Sequence, residues 1–144
     1  MIRTIQETDA KAIQELCQVA LGYDADLNLV QSQIKKLSQD HDHHIIAVYE
    51  DKVSSRAVAF VHAEIYEGLY SEAGLNILGL AVSPDYQGQG IGRELMTFIE
   101  KYAINHQLLY IRLNSAVHRL DAHQFYQSIG YRHDRTQKRF TKTF

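Results

Sequence analysis

Residues 77 to 105 constrain the fold more than any other stretch. The apolar run Ile77 to Val82 stops at Pro84, the only proline in the chain. A glycine-rich segment follows, Tyr86-Gln87-Gly88-Gln89-Gly90-Ile91-Gly92-Arg93. Beyond it Ile91, Leu95, Phe98, Ile99 and Tyr102 recur at helical spacing, which predicts a helix over about 90–105. A near-continuous apolar strand, here 75–82, belongs in the middle of a sheet. The loop between strand and helix has a chemical consequence. Glycine lets backbone approach a ligand closely, and the first N–H groups of a helix point outward without internal partners. With the positive end of the helix dipole behind them, they form a seat for phosphate or another anion.

The remaining segments supply partners for this unit. Residues 1–5 read as a short strand, and Thr8 or Asp9 as the cap of a helix with Ile13, Leu16, Cys17 and Ala20 on one face. Gly22 ends that helix, and Asp24 or Asp26 starts a second one carrying Leu27, Val30, Ile34 and Leu37. Residues 44–50 and 53–66 read as a hairpin about the turn Glu50-Asp51-Lys52, and the polar, glycine-flanked stretch Glu67 to Gly74 as a loop. Leu108 to Leu113 is another strand. Ala122, Phe125, Tyr126 and Ile129 stripe a last helix ended by Gly130, and Tyr131 to Phe144 reads as two short strands. Strands alternating with helices in the middle, and hairpins at both ends, predict an α/β (α+β) sandwich on a mixed sheet.

Composition narrows the functional classes. A chain of 144 residues, 45% hydrophobic and 22% charged, suits one globular domain spanning 1–144 with its own core. A net charge of −2 and a pI near 6.4 give no electrostatic case for nucleic acid or an anionic membrane. The single cysteine, Cys17, excludes an internal disulfide framework and fits a reducing, cytoplasmic setting. Its place on an apolar helix face reads as core packing rather than nucleophilic chemistry. The N-terminal residues lack the apolar run of a signal peptide, and no segment reaches the length of a membrane span.

Three phosphate loops compete for the glycine segment. A P-loop ends in Gly-Lys-Ser/Thr, whereas Gly92 is followed by Arg93-Glu94. The dinucleotide fingerprint spaces its glycines differently from Gly88-Gln89-Gly90-Ile91-Gly92. The third pattern, Gln/Arg-x-x-Gly-x-Gly/Ala, is met by Gln87, Gly90 and Gly92. Together with Leu80-Ala81-Val82-Ser83-Pro84 and Leu95-Met96, it resembles the acyl-CoA-binding motif of the GNAT superfamily of N-acetyltransferases. One strand later, Ala122-His123-Gln124-Phe125-Tyr126-Gln127-Ser128-Ile129-Gly130-Tyr131 resembles that family's Ala-x-x-x-Tyr-x-x-x-Gly-Phe/Tyr signature. Within the superfamily, Arg119 to Tyr126 and Arg139 to Lys142 resemble the aminoalkylphosphonate acetyltransferase branch.

The resemblance implies a GNAT-like fold, with a central sheet of about six or seven strands and about four helices. It implies acetyl-CoA as co-substrate, no metal, and direct attack by a primary amine in a ternary complex. Backbone of Leu80, Ala81 and Val82 would then pair with the pantetheine arm. Gln87, Gly88, Gln89, Gly90, Ile91 and Gly92 would wrap the pyrophosphate, and Arg93 would add charge. Tyr126 would protonate the departing sulfur, a task for which a phenol, neutral at pH 7, is suited.

Two departures bear on the site. Arg119 stands where many members carry Asn, leaving Asn114 to meet the pantetheine or to end its strand. Asn76-Ile77-Leu78-Gly79-Leu80 holds no carboxylate where many members place one to take the amine proton. Glu64, Glu72 or a water chain is then the base. His123 shares a helix face with Tyr126 and either lines the acyl-CoA site, relays protons or packs. His41-Asp42-His43-His44 reads as a solvated loop, because adjacent side chains at a strand start diverge. The partner implied is a small-molecule amine, with oligomeric state open between a monomer and a homodimer. Two other readings stand beside this one. One is an acyl-CoA-sensing module without catalysis, and the other an acetyltransferase of protein amines.

Overall fold

A long antiparallel hairpin organises the chain. The computed structural model describes all residues, 1–144, in two compact units, Met1–Leu113 and Asn114–Phe144. In the first unit, β1 (Ile2–Thr4), β2 (His44–Glu50), β3 (Ala57–Gly68), β4 (Ser71–Val82) and β5 (Ile111–Leu113) form one sheet in that spatial order. Neighbours are antiparallel as far as β4, and β5 runs parallel to β4, so the sheet is mixed, as the sequence predicts. Helices α1 (Ala10–Leu16, continued by a wide turn over Cys17–Leu21), α2 (Leu27–Gln39) and α3 (Ile91–Asn105) belong to this unit. Helix α4 (Leu120–Ser128) belongs to the second.

The centre of β3, Ala57-Val58-Ala59-Phe60-Val61, is buried on both faces, as expected for a central strand with alternating side-chain directions. On one face Phe60, Val48 and Ala81 pack with Ile13 and Leu16 of α1 and Val30 and Ile34 of α2. Helix α3 packs against β2, β3 and β4. Its buried Leu95, Met96 and Ile99 lie outside the α1–α2 cluster, so α3 covers the opposite face. Each such aliphatic side chain contributes about 1.5–3 kcal/mol on burial. The buried arc of α3 runs through Ile91, Leu95, Met96, Ile99 and Ala103, which leaves the predicted core residue Phe98 at its edge, 39% exposed. None of the helices is long and apolar enough to cross a membrane.

Four expectations are corrected. Glu67 to Gly74 is not a loop: Gly68 pairs with Ser71, and only Leu69 and Tyr70 form the tip. The outer end of this hairpin has no buried face, so its composition imitates a loop. Gly74 serves close approach rather than a turn, because a Cβ there would lie 2.4 Å from Cε2 of Tyr110. The tail Tyr131 to Phe144 forms no strands, and the sheet has five rather than six or seven. Its residues beyond Tyr131 are all exposed, Phe140 and Phe144 included, so no buried face fixes a register. Lastly, Asp9 precedes α1 but does not cap it with its side chain. Its two oxygens accept from Arg3 at 2.8 Å each, and Oδ2 also accepts from the Gln6 N–H at 2.8 Å. Burial alone would raise the Asp9 carboxyl, but Arg3 and the Gln6 N–H outweigh it and hold it below its usual value. Asp26, in contrast, does cap α2, accepting from the Leu29 N–H at 3.3 Å.

Candidate functional site

The end of β4 changes character at Leu78. Gly79 pairs with His62 and Ile77 with Ala63, so Leu78 is an extra residue, a bulge that bends the strand. Pairing with β5 covers only Leu75 to Ile77. From Leu78 to Val82 the β5 side of β4 has no strand partner. Ala81 is buried toward Phe60, while Leu80 and Val82 are half-buried. Backbone groups of these three residues therefore line an unpaired edge, the kind that accepts an extended, amide-bearing ligand.

The chain then passes through a short turn at Pro84–Tyr86 into the glycine loop. Gln87 Nε2 donates to the Val82 carbonyl at 3.1 Å, folding the loop back over the strand end. Gly88 (φ 78°) and Gly90 (φ 82°) adopt the left-handed conformation that glycine accepts without strain. Gln87, Gly88, Gln89 and Gly90 are exposed, and no protein atom lies within 4 Å of where a Cβ at Gly88 or Gly90 would sit. Gly90 is the N-cap of α3 and has no side chain to satisfy the first N–H groups of that helix. The N–H groups of Ile91, Gly92 and Arg93 are thus offered outward. The Ile91 side chain is buried and anchors the loop rather than meeting a ligand. A groove of about 440 Å³ starts at Gly90 and runs along α3 past Arg93, Glu94, Thr97, Phe98 and Lys101. Two cations against one carboxylate suit a ligand with several negative charges.

Beyond the bulge, the Phe60 face of the sheet turns polar. His62 and Glu64 of β3 project on this side, since side chains two apart share a face. Glu64 pairs in register with Asn76. Its Oε2 accepts from Asn76 Nδ2 at 2.9 Å, and Asn76 Oδ1 accepts from Arg112 Nη1 at 2.7 Å. Its Oε1 lies 3.4 Å from His43 Nε2. His44 Nδ1 and His62 Nε2 are 2.9 Å apart. His43 and His44 are therefore not simply solvated, contrary to expectation: β2 begins at His44 and presents both to β3. Beside the bulge β4 carries no carboxylate; Glu64 lies across the ladder from Asn76 on β3, while Glu72 lies toward the hairpin tip, on β4 rather than in a loop.

Burial, with repulsion from His44, pushes His62 down to about 4, the nearby Glu64 opposing it. His62 is therefore neutral in the fold where an unfolded chain, near 6.5, would take up a proton. The folded state is favoured above about pH 6.5 and loses that advantage as pH falls toward 4. The expected contribution is about 3 kcal/mol. Urea denaturation between pH 7 and 4 should show this decline, and His62→Gln should flatten it. An equal slope in the variant would assign the decline to other groups.

In the second unit, α4 carries Tyr126 half-buried between Phe125 and Tyr131, with ring centroids at 5.1 and 6.1 Å. Burial raises its phenol above the ordinary value of 10, against a smaller lowering by Arg119. The group therefore stays protonated at any physiological pH. His123 Nε2 donates to the Ala116 carbonyl at 2.9 Å, closing the turn before α4. Asn114 directly follows β5 and is exposed. In the first unit, burial raises the Cys17 thiol, which keeps it un-ionised and unreactive.

Comparison with known proteins places this geometry. No curated protein matches the sequence. Among solved structures, an acetyltransferase from Trypanosoma brucei is 18% identical with a TM-score of 0.80, matching 99% of both chains. Glucosamine-6-phosphate N-acetyltransferase from Arabidopsis thaliana is also 18% identical, with a TM-score of 0.81, over 100% of this chain and 97% of that one. AAC(6')-Iy, solved with the bisubstrate analog CoA-S-monomethyl-acetylneamine, is 16% identical with a TM-score of 0.83, over 100% and 98% of the two chains. The shared architecture is the α/β GNAT fold. The profile of the Acetyltransferase (GNAT) family matches residues 9–131, from the start of α1 through the bulged strand, the glycine loop and α4, so the chain belongs to that family.

Proposed function

We propose that residues 1–144 act as one acetyl-CoA-dependent N-acetyltransferase domain, transferring the acetyl group to the primary amine of a small molecule. One observation carries this reading furthest: an unpaired β4 edge leads straight into a glycine-capped helix whose first N–H groups have no protein partner. A strand edge for amides followed by a helix terminus for phosphates matches the two chemical halves of coenzyme A. In this reading backbone of Leu80 to Val82 holds the pantetheine and residues 87–92 the pyrophosphate. Arg93 and Lys101 add charge along the groove. Glu64 receives the amine proton, Tyr126 protonates the leaving sulfur, and Asn114 and His123 contribute to acyl-CoA binding. The amine attacks the thioester directly, since the un-ionised Cys17 offers no acyl carrier. Similar folds occur in glucosamine-6-phosphate N-acetyltransferase and in an aminoglycoside 6'-N-acetyltransferase from Acinetobacter haemolyticus, which favours a small polyfunctional amine. A cytoplasmic setting fits the lone cysteine.

Saturating acetyl-CoA should stabilise the protein by about 2.7 kcal/mol at a hundred times Kd, read in a urea titration. Thiol release with a panel of polyamines, aminoglycosides, amino sugar phosphates, aminophosphonates, amino acids and N-terminal peptides should then identify the acceptor. Stabilisation without turnover on any amine would favour the sensing module. Turnover on peptides alone would favour a protein acceptor, and no stabilisation by acetyl-CoA would refute all three.

A further inference from the structure

The polar side chains beside the β4 bulge form one connected line across three strands and the residue that precedes a fourth. Arg112 on β5 donates to Asn76 on β4, Asn76 donates to Oε2 of Glu64 on β3, and Oε1 of Glu64 faces His43 just before β2. Exposure rises along it, from 24% at the Glu64 side chain to 47% at His43. The His43 backbone is fixed as well, its carbonyl accepting from the Ile65 N–H at 2.8 Å. Arg112 is braced in turn, with its guanidinium 4.8 Å over the Tyr66 ring.

We propose that His43 is the proton exit for Glu64 during acetyl transfer, and that Asn76 and Arg112 are positioning residues that aim the carboxylate. The proposal rests on the acetyltransferase reading above. It explains why one oxygen of Glu64 is clamped by an amide and the other turned to an imidazole. A neutral amine gives one proton to Glu64 as its C–N bond to the acetyl carbon forms and the C–S bond breaks. The thiolate takes a proton from a separate donor, which is refilled from water. Glu64 passes its proton to His43 Nε2, and the imidazolium returns one to bulk water at its exposed side. The ionisable groups facing this line include His44, His62 and Tyr66, besides Arg112 within it. His62 stays neutral and bonded to His44, so it does not compete for the proton at neutral pH. Arg112 has only N–H donors and no acceptor for the proton.

His43→Ala should lower kcat by about 10–100-fold, the range of a lost proton-transfer partner, with KM for acetyl-CoA unchanged. Added imidazole should restore kcat in a saturable way. Glu64→Gln should lower kcat without any response to imidazole, because the first acceptor is gone. Asn76→Ala should reduce kcat and leave acetyl-CoA binding intact. Wild-type kcat in His43→Ala, or a loss that imidazole does not recover, overturns the relay. A wild-type protein that releases no thiol with any amine overturns the acetyltransferase reading itself, a distinguishable result.

Discussion

Replacing Tyr126 by Phe is expected to lower kcat for acetyl transfer by about 10²–10⁴-fold and to change KM for acetyl-CoA by no more than about twofold. The argument is one of selective deletion. Phenylalanine keeps the ring that packs edge-on against Phe125 and Tyr131, so α4 retains its apolar contacts. What disappears is one hydroxyl, raised above its ordinary pKa by burial and so protonated throughout the working range. A leaving thiolate deprived of that donor must be expelled as an anion. The cost falls on the transition state and not on the bound ground state, which is the pattern of a kcat effect. Steady-state kinetics in acetyl-CoA, with calorimetric binding of the same ligand, separates the two terms. Equal losses in kcat and affinity would make Tyr126 a packing residue. An unchanged kcat would give the proton to another group.

The parts of the fold that bury apolar surface were legible in the sequence, and the parts that do not were not. Ile13, Leu16, Val30 and Ile34 revealed α1 and α2 through spacing alone, and Gly22 and Asp26 marked where one ends and the next begins. The apolar run through Leu75 to Val82 revealed a strand inside the sheet, of which Leu75, Ile77 and Ala81 are buried while Leu78 is exposed. Its outer extension, Ser71 to Gly74, was invisible: Ser71 and Glu72 are exposed, Ala73 is half-buried, Gly74 has no side chain to bury, and the pairing with β3 is held by backbone. The tail erred in the other direction, since the aromatic and β-branched residues Phe140, Thr141, Thr143 and Phe144 imitate a strand that nothing buries. The proposed site residues divide in the same way. The glycine loop and Tyr126 lie in contiguous motifs. The line His43–Glu64–Asn76–Arg112 does not, because it is assembled by strand register from residues far apart in the chain. The available hints were Glu64, a carboxylate on a largely apolar strand that also holds His62, and the His41-Asp42-His43-His44 run, read there as a solvated loop.

Gly90→Val offers the sharpest test of the glycine loop, because the fold contains its own control. Gly90 has φ 82° and Gly22 has φ 76°, and neither has a protein atom within 4 Å of a built Cβ. A β-branched side chain forced into this region costs about 1–2 kcal/mol or more at either position. Gly22→Val and Gly90→Val should therefore lose similar stability in urea, with no clash to tell them apart. Their effects on ligand should differ. Gly22 ends the turn after α1, whereas Gly90 caps α3, and its vacant side is where a pyrophosphate would lie against the helix terminus. Valine there fills that volume and tilts the first N–H groups away from it. Gly90→Val should raise the Kd for acetyl-CoA by about 100-fold, equivalent to about 2.8 kcal/mol, while Gly22→Val binds as the wild type does. Equal affinity in the two variants would mean that the loop is a tight strand-to-helix turn and nothing more. The phosphates would then have to be sought along Arg93 and Lys101 instead.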